Sequence, residues 1–288
     1  MPIDFDNFAS SKPDKRPIEP IELFQSLKVI DPDVNDLWLA QGDALRDWHA
    51  KRTRDDLAIV LNTGAGKTFV GLVAAQSLVN ETLDHVLYVC SSIQLIEQTA
   101  QKAEGYGLEV STYFRNDFSN TLYQRGLAPC LTTYQAVFNG KSRFLQDLPQ
   151  AIIFDDAHTA EHLLRDAFTL RLRREKFPHP FSQIVELFRR YFTLIRLGIS
   201  YEEIQRQKNS NQYCFVPPFA LYEQYHELER ILLDAQLDDE RETLFCWESL
   251  KNHLDVCTLF ISGQEIALTP PVIPVNSLPY FQKGLRRL

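Results

Sequence analysis

The chain has 288 residues, of which 44% are hydrophobic, 24% charged and 11% aromatic. This composition is typical of a globular protein and excludes a disordered, collagenous or coiled-coil chain. At roughly 150 residues per domain, the length predicts two domains or one domain with a large elaboration. No apolar run reaches the roughly 18 residues of a membrane span. Residues 1–20 are rich in proline and lack the apolar stretch of a secretory signal, so we expect a flexible arm there.

Charge is distributed unevenly along the chain. The formal net charge of −8 would by itself argue against a nucleic-acid-binding protein. Residues 165–208, however, hold ten Lys and Arg against five Asp and Glu, whereas residues 209–260 hold three against ten. A basic stretch of this kind forms either a solvated helix face or a phosphate-facing surface, and both interpretations stay open at the level of the sequence.

The cysteines indicate a reducing compartment. They are five in number, widely separated, and never spaced as C-x-x-C: Cys90, Cys130, Cys214, Cys246 and Cys257. This pattern argues against a zinc ribbon and against a disulfide framework. We therefore expect a cytoplasmic protein.

The region from Leu57 to Ala157 alternates short apolar runs with longer segments of helical periodicity. Such alternation predicts βαβ units and a parallel sheet covered by helices on both faces. The predicted strands are Leu57–Leu61, Val86–Cys90, Glu109–Tyr113, Cys130–Thr133 and Ala151–Phe154, and the predicted helices are Lys67–Val79 and about Ile93–Gly105. Because ligands of such sheets bind at the carboxyl ends of the strands, the loops at 62–67, 91–94, 132–135 and 155–158 should line one edge.

The second half of the chain has a different pattern. An apolar helix stripe runs from Phe181 to Ile195, and two more helical segments follow at about Pro218–Ala235 and Asp238–Asp255. A hairpin is predicted from Val256–Ser262 and Glu265–Leu268, ahead of a proline-rich segment. We therefore expect a core at 21–170, a helical insertion at 171–255, and a hairpin and proline-rich segment at 256–288 that return to the core.

A glycine-rich loop carries the strongest local signal. It reads Leu61-Asn62-Thr63-Gly64-Ala65-Gly66-Lys67-Thr68, after a predicted strand and at the start of a predicted helix. Its glycines allow backbone N–H groups to surround phosphate oxygens, and the helix N-terminus adds partial positive charge. Lys67 would reach the β- and γ-phosphates, and the Thr68 hydroxyl would bind Mg²⁺. The strict phosphate-loop pattern fails at its first position, Leu61, so a plain glycine-rich turn is the alternative.

A pair of carboxylates ends the strand at 151–154 on the same predicted edge. Asp155 suits the second-shell carboxylate that a phosphate-bridging Mg²⁺ requires, and Asp156 suits a group that orients the attacking water. The alternative is that the aspartates only cap the helix expected near Thr159.

With these two motifs, the segment from Leu37 to Phe168 resembles the first RecA-like domain of superfamily-two helicases of the DEAD/DEAH-box class. The family motifs T-G-x-G-K-T and D-E-x-H correspond to Thr63–Thr68 and to the box Asp155-Asp156-Ala157-His158. The resemblance implies an α/β P-loop NTPase fold with ATP and Mg²⁺ as cofactors. It implies catalytic roles for Lys67, Asp155, Asp156 and His158, nucleotide binding by Thr63, Gly64, Ala65, Gly66, Lys67 and Thr68, and metal binding by Thr68 and Asp155.

Six further residues, in three motifs, match the family one by one. Gln41 is similar to the upstream glutamine that reads adenine, with an exposed helix residue as the alternative. Ser91, Ser92 and Gln94 are similar to a motif that holds the nucleic-acid backbone, although Ser91 and Gln94 also fit a capping box. Thr132 and Thr133 resemble the second backbone-gripping motif, with a simple strand-end turn as the alternative.

Two departures from the family pattern bear on activity. Asp156 replaces the usual glutamate and is one methylene shorter. No Ser-Ala-Thr segment and no second RecA-like half follow, and Arg286 and Arg287 lie in no recognisable arginine-finger context. Since the family's ATP site is completed by that second half, we expect ATP binding with weak hydrolysis.

The sequence thus predicts the ATP-binding half of a helicase or translocase that grips DNA or RNA, with DNA slightly favoured, and that works with a second RecA-like half in cis or in trans. The alternative is a nucleotide-gated protein-interaction module. Its docking surface would be the aromatic-rich insertion, unless these side chains pack on each other: Phe188, Tyr191, Phe192, Tyr213, Phe215, Phe219, Tyr222 and Tyr225. A P-loop kinase is a weaker third interpretation, because no arginine-rich lid is evident.

Overall fold

A computed structural model describes most of the chain. The described residues are 16–32, 34, 36–81, 84–139, 141–195, 200–206, 212–237, 241–273, 279–281 and 284–288, without the side chains of 193–195, 241 and 242. Most of the predicted arm, residues 1–15, therefore lies outside them. The chain divides into two compact units, the first formed by Met1–Val137, Gln146–Ala157 and Tyr280–Leu288, and the second by Phe138–Leu145 and His158–Pro279.

The first unit contains five helices and six strands among its described residues. The helices are α1 (Pro20–Ser26), α2 (Leu39–Lys51), α3 (Lys67–Asn80), α4 (Ile93–Gly105) and α5 (Tyr134–Val137). The strands are β1 (Val86–Cys90), β2 (Ser111–Phe114), β3 (Asp117–Phe118), β4 (Cys130–Thr133), β5 (Ala151–Phe154) and the C-terminal β10 (Arg286–Arg287). Their order in the sheet is β10-β5-β1-β4-β2-β3, and only the β2–β3 pair is antiparallel.

The predicted parallel α/β core is confirmed. Strands β1, β4 and β5 and helix α4 have the predicted bounds, α3 is one residue longer, and β2 begins two residues later than expected. The core forms because β1 and β4 are buried on both faces and α3 is buried over nearly its whole length. The register pairs Cys90 with Thr133 and Val89 with Phe154, so the carboxyl ends of β1, β4 and β5 meet at one edge.

The predicted strand Leu57–Leu61 is wrong. Only the start of this segment pairs with the sheet, through a bridge between Asp56 and Arg287 and a hydrogen bond from Leu57 N to Arg287 O (3.0 Å). The ladder stops there because β10 pairs through two residues only, and a strand requires hydrogen-bonding partners along its length. Val60 is accordingly 91% exposed.

The second unit contains helices in the segments where the sequence predicts them, together with an antiparallel sheet that the sequence analysis did not predict. It contains helices α6 (Ala157–Ala167, whose first residue belongs to the first unit), α7 (Pro178–Leu187), α8 (Arg189–Ile195), α9 (Tyr201–Arg206), α10 (Pro218–Asp234) and α11 (Arg241–Leu250). Its antiparallel sheet has the order β6-β9-β8-β7, from strands β6 (Leu170–Arg173), β7 (Cys214–Val216), β8 (Thr258–Ile261) and β9 (Glu265–Thr269). The predicted hairpin is present as β8 and β9 and pairs with β6 and β7. The end of the expected returning segment, Tyr280–Leu288, belongs to the first unit, where β10 pairs with β5.

One face of this second sheet carries the core of the unit. Leu170, Leu172, Leu259 and Ile261 on the sheet pack in one cluster with residues of α7, α10 and α11, including the buried Trp247. The alternation of Leu and Arg in β6 is a strand pattern, which was hidden within the basic stretch of the sequence. In the described part of the chain, no helix has the length and apolar character needed to cross a bilayer.

Candidate functional site

The glycine-rich loop connects the extended segment 57–61 to the N-terminus of α3. Gly64 and Gly66 have φ values of 83° and 79°, in the left-handed region that favours glycine. Ala65 N donates to Asn62 O (3.1 Å), which closes the loop, and α3 begins at Lys67, whose side chain is exposed. The loop and the first turn of a 14-residue helix are therefore arranged as an anion-binding element.

Gln41 holds this loop. Its side chain is buried (8% exposed), its Oε1 accepts from Trp38 N (3.1 Å), and its Nε2 donates to Ala65 O (3.1 Å). A Cβ atom at Gly66 would collide with the Gln41 amide, so a glycine is required there for close packing as well as for its backbone angle. The alternative of an exposed helix residue is excluded. The amide still has one donor hydrogen for a ligand.

Asp155 lies where β5 ends, next to β1, and its backbone N donates to Val89 O (2.9 Å). Burial raises the pKa of its carboxyl group, and the neighbouring Asp156 carboxylate adds to this effect. A hydrogen bond from Tyr88 and the positive charges of Lys102 and Lys67 oppose it. Lys67 makes the smallest of these contributions, and α3, which begins at Lys67, packs against β1 and β5.

Two tyrosines missed by the sequence analysis hold Asp155. The Tyr88 hydroxyl, at the centre of β1, donates to the Asp155 carboxylate, and the Tyr134 hydroxyl donates to Asp155 O (3.0 Å). Burial raises the pKa of Tyr88 well above its ordinary value, so it stays a donor. The Tyr88 ring fits because α3 has Gly71 beside it, where a Cβ would lie 2.8 Å from Tyr88 Cε2. The sequence contains one signal for the role of Tyr88, since this tyrosine lies within the otherwise apolar strand β1. A buried hydroxyl group needs a hydrogen-bond partner, so a polar group is expected next to it.

Asp156 and His158 are exposed. Asp156 has a φ of 55°, the left-handed region that Asp and Asn enter more readily than most side chains. Helix α6 begins directly after it, two residues earlier than expected. His158 is the residue from which the second unit starts.

The polar residues after β1 lie at the start of α4. Ser92, rather than Ser91, is the N-cap, and its hydroxyl oxygen accepts from Leu95 N (3.3 Å). The expected capping box of Ser91 and Gln94 is therefore not formed, because Ser92 is the N-cap and the residue three positions later is the apolar Leu95. Ser92 and Gln94 are exposed, and Ser91 is half-buried, so all three lie on the accessible edge beside the end of β1.

The two threonines of β4 differ from the expectation. Thr132 is fully buried and its hydroxyl donates to Tyr113 O (3.0 Å), so it serves the sheet and does not face a nucleic acid. The Thr133 hydroxyl accepts from Ala136 N (3.1 Å) at the start of α5, and its side chain is 7% exposed. The geometry of Thr133 fits the alternative of a strand-end turn. Thr132 is buried in the sheet, so its side chain is not accessible for the expected contact with a nucleic-acid backbone.

Residues 36–200, more than half of the chain, match the family described as "Type III restriction enzyme, res subunit". The chain belongs to this family. Its first unit is accordingly a RecA-like domain of the superfamily-two helicase type, the ATPase half of such enzymes. The match extends beyond the first unit into the inserted one.

The chain is also similar to several solved structures of XPD proteins. These include an apo XPD structure (16% identity, TM-score 0.40, 78% of this chain and 47% of the other) and S. tokodaii Xpd4 (14%, 0.45, 84% and 56%). A further XPD helicase structure has 15% identity, a TM-score of 0.41, and coverage of 88% and 58%. The chain thus spans about half the length of the proteins it matches. A search among curated protein sequences finds no match.

Proposed function

We propose that the first unit binds Mg-ATP and couples its binding and hydrolysis to gripping of a nucleic-acid backbone, with DNA as the favoured polymer. The observation that supports the proposal is the position of the start of α3, directly after the phosphate loop, beside Tyr88 and Asp155. A Cβ at Gly71 would lie 3.2 Å from the Tyr88 hydroxyl oxygen, and this hydroxyl acts as a donor to the Asp155 carboxyl group. A glycine cradle at a helix N-terminus and a carboxylate at the adjacent strand end fit a nucleotide with its metal ion.

Each residue of this edge then has a role. Lys67 offsets the negative charge of the phosphates, and the N–H groups of the loop donate hydrogen bonds to them. Gln41 contacts the adenine and is hydrogen-bonded to the loop through Ala65 O. Asp156 orients the attacking water. Thr68 and Asp155 would hold Mg²⁺ through oxygen atoms, which this cation prefers. When bound, the metal would supply charge stabilisation at the γ-phosphate.

Gripping of the backbone is assigned to Ser91, Ser92, Gln94 and Thr133. Hydroxyl and amide groups contact phosphate and sugar without reading sequence, and such local contacts are compatible with an acidic protein. Full turnover needs positive charge from a second RecA-like half, in cis or in trans. Alone, this half hydrolyses ATP weakly, and we place the protein in the cytoplasm because its cysteines are thiols.

The phosphate-loop assignment is tested by Lys67→Ala. We expect nucleotide affinity to fall by at least about tenfold, since a charge-assisted phosphate contact is lost, while circular dichroism stays unchanged. Titration of a fluorescent ATP analogue measures this. The control is Lys51→Ala, which removes the same charge from the last residue of α2. Unchanged affinity in the Lys67 variant would remove the assignment.

The coupling is tested by MgATP turnover with and without single-stranded DNA, duplex DNA and RNA, before and after a second RecA-like half is supplied. We expect nucleic acid to stimulate turnover once both halves are present. If no polymer binds or stimulates, the translocase proposal is wrong and the nucleotide-gated interaction module takes its place.

A further inference from the structure

The sheet of the second unit has an outer face that carries aromatic and basic side chains. Successive residues of a strand point to opposite faces of the sheet. Leu170, Leu172, Cys214 and Val216 are buried in the core of the unit, so the residues between and beside them in the strands project from the outer face. These outward residues are Arg171 and Arg173 on β6, Phe215 on β7, Phe260 on β8, and Glu265, Ala267 and Thr269 on β9. Phe215 and the preceding Tyr213 are each 45% exposed.

The strand register places two of these aromatic rings in one row. Phe215 pairs with Phe260, Phe260 pairs with Ala267, and Ala267 pairs with Arg171. The two phenylalanine rings lie 5.7 Å apart between centroids. This row of paired residues therefore begins with the two aromatic rings, continues with the small side chain of Ala267, and ends with the guanidinium group of Arg171.

Above the small side chain lies a cavity of about 340 Å³. Phe260 and Ala267 of the sheet and the adjacent Tyr213 line this cavity together with His162, Arg165 and Asp166, which are spaced along one face of α6. The volume falls in the range of roughly 300–1,000 Å³ that is typical of ligand sites.

The polar groups of the cavity are held in place. Arg171 forms ion pairs from Nη2 to Asp166 Oδ1 (2.5 Å) and from Nη1 to Glu265 Oε1 (2.6 Å). The Tyr213 hydroxyl donates to the same Glu265 Oε1 (2.6 Å). Arg165 Nη2 forms an ion pair with Glu161 Oε1 (2.5 Å), whereas its Nε is buried and has no hydrogen-bond partner among the described residues. A buried donor without a partner is costly, so an acceptor supplied by a ligand would be favourable at this position.

From these features we infer that the outer sheet face, defined by Tyr213, Phe215, Phe260, Arg165, Arg171 and Arg173, binds single-stranded nucleic acid. One base stacks on Phe260 in the cavity and the next on Phe215, and phosphates contact Arg165 and Arg173. Bases offer a π-face in every sequence, and aromatic platforms beside cationic groups bind single strands in this way. Duplex bases would not be accessible for such stacking.

A polymer suits this face better than a free nucleotide. The aromatic surface continues from the cavity to the exposed Phe215, which a single nucleotide in the cavity would leave uncovered. The basic stretch 165–208 supplies Arg165, Arg171 and Arg173 to the same face. Arg165 and Arg171 form ion pairs with Glu161, Asp166 and Glu265 there, and the side chain of Arg173 is exposed. This site goes beyond the proposed function, because it lies in the inserted unit and needs no ATP.

The experiment measures binding of fluorescent (dT)15 to the full chain without nucleotide. We expect Phe215→Ala and Phe260→Ala each to weaken binding by at least about fivefold, which is the lower end of the stacking contribution of one base. Phe260→Trp should retain binding. The matched control is Tyr222→Ala, which removes an aromatic side chain that is 67% exposed on α10. Arg165→Gln should lower the salt dependence of binding.

Location is tested by photo-crosslinking with an oligonucleotide that carries 5-iodouracil, which should label peptides containing Tyr213, Phe215 or Phe260. The phenylalanine variants should keep full affinity for the ATP analogue, and Lys67→Ala should keep full affinity for (dT)15. Unchanged (dT)15 binding in both phenylalanine variants, or equal binding of dTMP and (dT)15, would overturn the inference. Neither result would affect the ATP site, whose own failure appears in the Lys67 titration.

Discussion

At the residue scale, the backbone of Asp156 gives a physical reason for the unusual D-D-A-H box. Its φ of 55° lies in the left-handed region, which short polar side chains tolerate because they can hydrogen-bond locally. The longer glutamate of the family pattern would be less favourable on this backbone. The aspartate is thus matched to its local conformation, and the water-orienting role that we propose for it would be carried by a shorter side chain.

Asp156→Asn tests that role with little change in backbone preference. We expect nucleotide affinity to stay unchanged and turnover, measured with the second half supplied, to fall by about 100-fold or more, since general-base groups contribute about 10²–10⁴-fold. Phosphate-release kinetics measure this. Asp47→Asn, on the exposed side of α2, is the control. Continued turnover in the Asp156 variant would show that another group positions the water.

Tyr88 orients the Asp155 carboxylate, and Tyr88→Phe removes only the hydroxyl. We expect the Mg²⁺ concentration needed for half-maximal nucleotide binding to rise several-fold, while binding in EDTA stays the same, because one net hydrogen bond contributes about 1 kcal/mol. The ring still fills the space beside Gly71, so the fold is retained. A metal titration at fixed nucleotide measures this. Tyr106→Phe is the control, and an unchanged metal requirement would contradict the positioning role.

At the element scale, the two-residue strand β10 is fastened by side chains as well as by the sheet. Arg286 forms an ion pair with Glu81 (3.0 Å), to which Arg52 also binds (3.0 Å), and Arg287 pairs with Asp56 (2.5 Å). So short a strand offers few backbone hydrogen bonds, and these charge-assisted contacts offset that deficit. They anchor the edge of the sheet that lies nearest the segment leading to the phosphate loop.

Glu81→Gln should therefore change the pH dependence of stability. Burial raises the pKa of Glu81, but the hydrogen bonds from Arg286 and Arg52 outweigh this and lower it overall. A carboxyl group with a lowered folded-state pKa stabilises above its ordinary pKa, and this contribution is lost as the pH falls through the folded value.

We expect the variant to be less stable than wild type at pH 7, by about 1–2 kcal/mol, and the difference to shrink below about pH 4. Urea unfolding at both pH values measures this, with Glu104→Gln on the exposed side of α4 as control. A difference that is equal at both pH values would show that the charge of Glu81 is not responsible.

At the scale of the whole molecule, the chain has two separate hydrophobic cores. Trp48 is buried in the core of the first unit and Trp247 in that of the second. All five cysteines are buried thiols, and burial raises the pKa of Cys90 and Cys257 to about 12. Two cores give two cooperative blocks, so unfolding need not be two-state.

Nucleotide should therefore stabilise the two units unequally. In Trp247→Phe, the remaining Trp38 and Trp48 report the first unit, and in the double variant Trp38→Phe/Trp48→Phe, Trp247 alone reports the second. Saturation at about 100 times Kd should stabilise the first unit by about 2.7 kcal/mol, and leave the second nearly unchanged. Fluorescence-monitored unfolding measures both midpoints. Equal shifts would show that the units unfold as one block.

The sequence by itself determined the parts that depend on short-range pattern. The apolar runs of β1, β4 and β5, the periodicity of α4, and the glycine-rich loop before α3 each lie within one short segment. The placement of Asp155 and Ser92 on one edge follows from the parallel direction of β5 and β1. These features can be predicted locally, because a strand that is buried on both faces requires consecutive apolar residues and a helix cap requires a polar residue directly before the helix.

The tertiary structure alone decided the features that depend on distant partners. Segment 57–61 is not a strand because β10, more than 200 residues later, pairs only at its start. The second sheet forms because β6 meets β9 and β7 meets β8 across long separations. The inward Thr132 and the Tyr88 bond to Asp155 likewise depend on which strand lies alongside. Hydrogen-bond partners and side-chain neighbours of this kind come from segments that are distant in the chain, and the local pattern of a single sequence does not show which segments will be adjacent.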